Sequence, residues 1–242
     1  MAETGHAKNV ANFEEMISFC VGYGGGYKPT NAVIELAGLQ AALAGAQGAI
    51  DDVTTGIVEW KVKVNGRENE YAGVGKLATR VVSSYAASGV TANAVEDMQG
   101  FARKIAGARK NKIEVDDPNT PENEAAHNSV SQRSYSNVAE HFDAMIEMAK
   151  SEPLYAPNEA DLAVVALEAK SAAMKAANLQ VTDKVTALSN DRITRNDVLY
   201  GETDGICELA RLVKLYVKSA FGATSPQYKQ ISGLEFTKPR TR

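Results

Sequence analysis

The strongest constraint on this chain is that it repeats itself. Phe13, Met16 and Ile17 recur as Phe142, Met145 and Ile146, 129 positions on, and Tyr27-Lys28-Pro29 recurs as Tyr155-Ala156-Pro157 at an offset of 128. That offset holds through Leu39/Leu167, Ala49/Ala177, Val53-Thr54/Val181-Thr182 and Arg67/Arg195; it then drifts by about four, to Leu77-Ala78/Leu209-Ala210, Gly89/Gly222 and Thr91/Thr224. Matches that keep their order and nearly their register imply a duplicated unit. The fold is therefore expected to consist of two similar halves. Between them, from Arg109 to about Arg133, Asp116-Asp117-Pro118-Asn119-Thr120-Pro121-Glu122-Asn123 combines prolines and carboxylates with almost no large apolar side chain, the composition of an exposed loop. The expected organisation is a first helical repeat over 1–108, a polar linker over 109–133, a second repeat over 134–225 and a C-terminal arm over 226–242.

Each half carries one dominant apolar pattern. After Pro29, Leu36, Leu39, Leu43, Ala46, Ile50, Val53, Ile57, Trp60 and Val64 alternate in steps of three and four, the signature of a helix with one coiled-coil-like seam. The second half reads Val164, Leu167, Ser171, Met174, Asn178, Val181, Val185, Leu188, Arg192, Arg195 and Leu199, a seam that turns polar towards its end. Helices over Thr30 to Arg67 and Asn158 to Arg195 follow, each spanning roughly 55 Å. Composition agrees: 37 Ala against 7 Pro and 16 aromatics favours helix over sheet. The expected fold class is all-α, an elongated bundle of two tandem, pseudo-symmetric helical repeats with an extended C-terminal tail.

Shorter helices flank the long ones. Asn12 is a candidate N-cap for Phe13 to Gly22, Gly89 closes a helix from about Tyr71, and Thr91 caps another running from Ala92 to Ala108. In the second half, helices are expected near Ser134 to Lys150 and Thr203 to Phe221. Pro226, Gly233 and Pro239 break up the end of the chain, where Ile231, Leu234 and Phe236 are too apolar to be left in water. The tail is therefore expected to dock as an extended arm on an apolar groove, of the same chain or of a neighbour, with exchange between neighbours the favoured arrangement.

Motifs with chemical potential each meet a simpler explanation. Gly22-Tyr23-Gly24-Gly25-Gly26-Tyr27 lacks the preceding strand and the following Lys of a phosphate loop, and reads as a helix–helix turn. Gly73-Val74-Gly75-Lys76 resembles the end of such a loop, but Glu70 stands where its first Gly belongs. Glu124-Ala125-Ala126-His127 has the spacing of carboxylate-bridged metal sites without the second motif they need, and His141 is isolated. No catalytic, cofactor-binding or metal-binding set is expected. Arg67, Arg192 and Arg195, at seam positions, are candidates for a network that sets register through acidic partners, or for a site that binds an anion between the halves. Gly38, Ala41, Ala42, Gly45, Gly48, Ala49 and Gly56 line the first long helix and suggest close approach of another helix, within the chain or between copies.

A net charge of −4, with 26 basic residues among 30 acidic ones, disfavours binding to nucleic acid through bulk charge. Phe13 to Val21 is too short and too interrupted for a signal or an anchor, so the expected location is cytoplasmic, with Cys20 and Cys207 reduced in the core. The Tyr-x-Pro turn, the Leu188-Ser189-Asn190-Asp191-Arg192-Ile193-Thr194-Arg195-Asn196 segment and the ending Phe221-Gly222-Ala223-Thr224-Ser225-Pro226-Gln227-Tyr228-Lys229-Gln230-Ile231 resemble a family of uncharacterised, all-helical proteins widespread in Bacteroidota. That resemblance covers nearly the whole chain; it implies fold and lineage and contributes no site. The expected function is a non-enzymatic scaffold or interaction protein, a homo-oligomer or higher assembly that associates through its long helices and its arm. The alternative is a protein associated with nucleic acid or another anion through Lys229, Lys238, Arg240 and Arg242, a tail that adds salt-sensitive affinity without specifying sequence.

Overall fold

A computed structural model describes residues 4–107 and 134–238. The regular structure of these residues is helical throughout: α1 Thr4–Gly22, α2 Leu36–Tyr71, α3 Val74–Ala87, α4 Ala92–Ala106, α5 Tyr135–Ser151, α6 Val164–Tyr200, α7 Ile206–Phe221 and α8 Pro226–Ser232, with short 3₁₀ turns at Gly24–Gly26 and Ala32–Ile34. The all-α expectation holds for them.

Local chemistry sets most boundaries. Thr91, Ser134 and Ser225 each accept a hydrogen bond from the backbone N–H three residues on, satisfying a donor that the first helical turn leaves open. Gly73 and Gly89 hold positive φ angles, 79° and 84°, between α2 and α3 and between α3 and α4, where a side chain would be strained. Several expected boundaries change. The first long helix starts at Leu36 rather than Thr30, because Asn31 accepts from the Val33 N–H and winds Ala32–Ile34 into a separate 3₁₀ turn. It also runs on to Tyr71, and its counterpart begins at Val164 rather than Asn158. Asn12 caps nothing, since α1 already begins at Thr4; its side chain serves the C-terminal segment instead. The tail is not extended from its start, because Pro226 occupies the first turn of α8, where its missing N–H costs nothing.

The predicted seams face inward at most positions, but Val185, 48% exposed, and Arg192 of the second seam face solvent. Along α2, Leu39, Ala46 and Val53 are buried and Leu36, Leu43, Ile50, Ile57, Trp60 and Val64 half-buried; along α6, Leu167, Ser171, Met174, Val181, Leu188, Arg195 and Leu199 are buried. Trp60, expected to be buried, keeps part of its surface in solvent.

The chain divides into two compact units, one made of Met1–Lys61 with Lys184–Arg242, the other of Val62–Asp183. Each expected half, 1–108 and 134–225, contributes helices to both. In the first unit α1 packs on α7 and α8, and its core gathers Phe13, Met16, Cys20, Leu39, Leu199, Ile206, Val213, Val217 and Ile231. In the second unit α5 packs on α4 and α3, and Val81, Tyr85, Met98, Phe142, Met145, Leu167 and Met174 fill the core. Removing each such side chain from water contributes about 1.5–3 kcal/mol.

The same contacts recur in the two units. The Tyr27 hydroxyl donates to the Ile34 carbonyl at 2.7 Å, and the Tyr155 hydroxyl to the Leu162 carbonyl at 2.8 Å. Tyr27 lies edge-on to Tyr216 and Tyr155 is tilted against Tyr85, with ring centroids 5.2 and 5.9 Å apart. His6 meets Tyr200 in the first unit; Tyr71 meets Tyr135 in the second.

Candidate functional site

The three seam arginines fall into different units. Arg67 is in the second, half-buried, with its guanidinium 4.0 Å from the centre of the Tyr135 ring, a cation–π contact. Its Nε has no hydrogen-bond partner among the described residues. Arg195 is in the first unit and only 5% exposed, and its Nε and Nη2 donate to Asn196 Oδ1 at 3.3 and 2.9 Å. Arg192, also in the first unit, is exposed. Tyr71 stands beside Arg67, accepts from Asn178 Nδ2 at 2.7 Å and donates to the Tyr135 carbonyl at 2.8 Å. These bonds tie α2 to α6 and to the start of α5.

The most elaborate polar arrangement lies at the C-terminal arm. Ile231 is fully buried against α1 and α7, while Leu234 and Phe236 rest half-buried on the same core. From Leu234 to Lys238 the backbone has no regular structure, and side chains of the helices bind its main chain. Asn9, itself 2% exposed, donates from Nδ2 to the Thr237 carbonyl at 2.9 Å and accepts from the Thr237 N–H at Oδ1 at 3.0 Å. Asn12 Nδ2 donates to the Glu235 carbonyl at 2.7 Å. Lys214 Nζ donates to the Ser232 and Leu234 carbonyls at 3.2 and 2.5 Å and lies 5.6 Å from the Phe236 ring centre. Burial lowers the Lys214 pKa, with Glu235 opposing.

Beneath Asn9, Tyr200 continues the network. Its hydroxyl accepts from Asn9 Nδ2 at 3.2 Å and lies 2.7 Å from His6 Nδ1, while its carbonyl accepts from Lys238 at 3.4 Å. Between α7 and the arm runs a groove of about 600 Å³, walled by Cys207, Glu208, Arg211, Lys214, Leu234 and Phe236. Glu208 holds Arg211 in a two-pronged pair, Arg211 Nε lying 2.9 Å and Nη2 2.6 Å from the carboxylate, which lowers the Glu208 pKa. Burial pushes the Cys207 thiol up to about 11, so it is held as the neutral thiol.

Other expected features are simpler. Gly26 of the glycine-rich turn admits Phe221, whose ring would lie 2.8 Å from a Cβ placed there, so the turn serves packing. Gly73 to Lys76 forms the junction of α2 and α3. His141 has its pKa lowered, by burial first and by Lys104 second. Glu124, His127, Arg240 and Arg242 lie outside the described residues, within which no group of three His, Cys, Asp or Glu is placed to hold a metal and no helix is long and apolar enough to cross a membrane.

The sequence pointed to the arm through Ile231, Leu234 and Phe236 but not to the residues that hold it. Asn12 reads as a helix N-cap, Asn9 as an ordinary polar position and Lys214 as one lysine among many. Their three-residue spacing on α1 was the available signal, since it puts both amides on one face. Ser171 and Asp143 were also missed as a pair: the serine hydroxyl donates to the carboxylate, which Lys175 approaches from the other side, so the polar seam position is satisfied. Comparison of the chain with protein families, with curated proteins and with solved structures found no match.

Proposed function

We propose that this protein is a non-enzymatic structural or interaction protein, built from two copies of one helical unit, that self-associates through the outer face of its long helices. The observation that carries this reading is on α6. Val165 and Leu179, 77% and 61% exposed, sit at the two ends of a stripe completed by Ala169, Ala172 and Ala176, all exposed. The steps of four, three, four and three place these five residues on one side of the helix, opposite the buried seam of Leu167, Met174 and Val181. A helix apolar on two faces leaves one for a partner, and small side chains let that partner approach closely. The outward-facing Ala41, Gly45 and Gly48 on α2, where a Cβ at either glycine would meet nothing within 4 Å, support the same reading.

The duplication is supported by the recurring tyrosine bonds and ring pairs, with α1 corresponding to α5, α2 to α6, α3 to α7 and α4 to α8. In each unit the first helix of one half rests on the third and fourth helices of the other. The Bacteroidota resemblance belongs to the same proposal and adds no site.

Light scattering coupled to size exclusion tests this. The native protein is expected to run above the 25.8 kDa of one chain, with the mass rising with concentration, and Leu179→Glu is expected to return it to one chain with unchanged helicity. A native protein that stays at one chain at every concentration would overturn the reading. Co-purifying nucleic acid, lost at high salt, would instead favour the tail-borne alternative.

A further inference from the structure

The helices α1 and α7 form a clamp that reads main chain. Every hydrogen bond described above from Asn9, Asn12 and Lys214 to residues 232–237 ends on a backbone carbonyl or N–H: Thr237 on both its groups, Glu235, Leu234 and Ser232 on their oxygens. Such bonds are indifferent to the side chains of the segment they hold. They need only an extended stretch with its polar groups free, the condition met in recognition of strands and peptides.

The segment held is also separable from the core. Ile231 of α8 is fully buried and belongs to it, but among the described residues beyond Gly233 only Leu234 and Phe236 are half-buried, and Glu235, Thr237 and Lys238 are exposed. The second unit shows the contrast. There α4 runs for 15 residues and puts Met98 and Ile105 into the core, whereas α8 stops after 7 and leaves the rest of its course to the unwound segment.

From this we infer that the α1/α7 clamp is a binding site for an extended peptide segment, and that its second occupant is residues 234–238 of another copy of this chain, exchanged about Gly233. The contacts made by a neighbour's arm are the same as those made by the chain's own, so the balance between closed and exchanged forms is set by the effective concentration of the attached arm against the concentration of chains. This goes beyond association through α6: the clamp belongs to the first unit and the α6 stripe to the second, and the two are read separately.

The test mixes two full-length single variants, Asn12→Cys and Glu235→Cys, one carrying a mass tag, under oxidation. Asn12 Nδ2 bonds the Glu235 main chain, so these positions meet only when an arm lies in the clamp. A disulfide-linked heterodimer is expected, rising roughly tenfold between roughly 20 and 200 µM chains. It should exceed the yield of a control mixture of Asn12→Cys with Glu96→Cys, and it should persist when both chains also carry Leu179→Glu. A chain carrying both cysteines should close on itself at low concentration, which establishes that the pair is competent. Heterodimer no greater than the control, or a yield independent of concentration, would overturn the exchange while leaving association through α6 standing or falling on its own mass measurement.

Discussion

Tyr27 and Tyr155 each turn a hydroxyl inward to close the loop after a first helix, and both hydrogen bonds are buried. Tyr27→Phe and Tyr155→Phe are each expected to lower stability by about 1–3 kcal/mol, because the Ile34 or Leu162 carbonyl is left buried without a donor. Urea denaturation checks this, and equal losses would fit two copies of one device. Trp60 shows where residue-level reasoning failed. Its seam position implied burial, but the residue is half-exposed and its Nε1 has no partner among the described residues. The neighbouring seam positions Ile57 and Val64 are likewise half-buried, so this end of the seam is less covered than the stretch around Leu39, Ala46 and Val53.

Glycines on one helix separate by what surrounds them. A Cβ on Gly48 would meet nothing within 4 Å, whereas one on Gly56 would lie 3.0 Å from Asp191 Oδ2 and 3.2 Å from Leu188 Cδ1. Gly48→Ala should therefore raise stability by about 1 kcal/mol through helix propensity alone. Gly56→Leu should lower it by about 1–3 kcal/mol by crowding α6. Thermal denaturation of the two variants checks both signs; a loss at Gly48 in dilute solution would mean that its face is already covered. The small-residue run thus divides into a part used within the chain, at Gly56, and an outward part, at Ala41, Gly45 and Gly48. The sequence showed the run but not the division, since both parts have the same composition and only the rotation of α2 against its neighbours tells them apart.

For the molecule as a whole, pH gives a further test, because both thiols lie in the first unit and burial pushes each up to about 11 from an ordinary value of 9.0. Below about 9 both folded and unfolded states keep the proton, and these groups make stability independent of pH. Between about 9 and 11 the unfolded thiols lose their protons while the folded ones retain them, so stability falls as pH rises. The loss should be on the order of 1–2 kcal/mol per thiol after screening by solvent, and should be smaller in Cys20→Ala when denaturation midpoints at pH 8 and 10.5 are compared. Equal slopes in the two proteins would contradict this account. Helix content, most of the two inward seams and the Thr91 cap were legible in the sequence, because they depend on spacing and on residues next to one another. Which helices share a unit was not. The order α1 to α8 is compatible with two self-contained halves, and pairing α1 with α7 and α8 rests on contacts about 200 residues apart, between apolar faces that look alike in composition. For the same reason the sequence determined that the C-terminal apolar residues must dock, while only the tertiary structure decided on what: Asn9, Asn12 and Lys214 become a clamp when folding brings α1 beside α7, and no pattern along the chain joins Lys214 to the two asparagines.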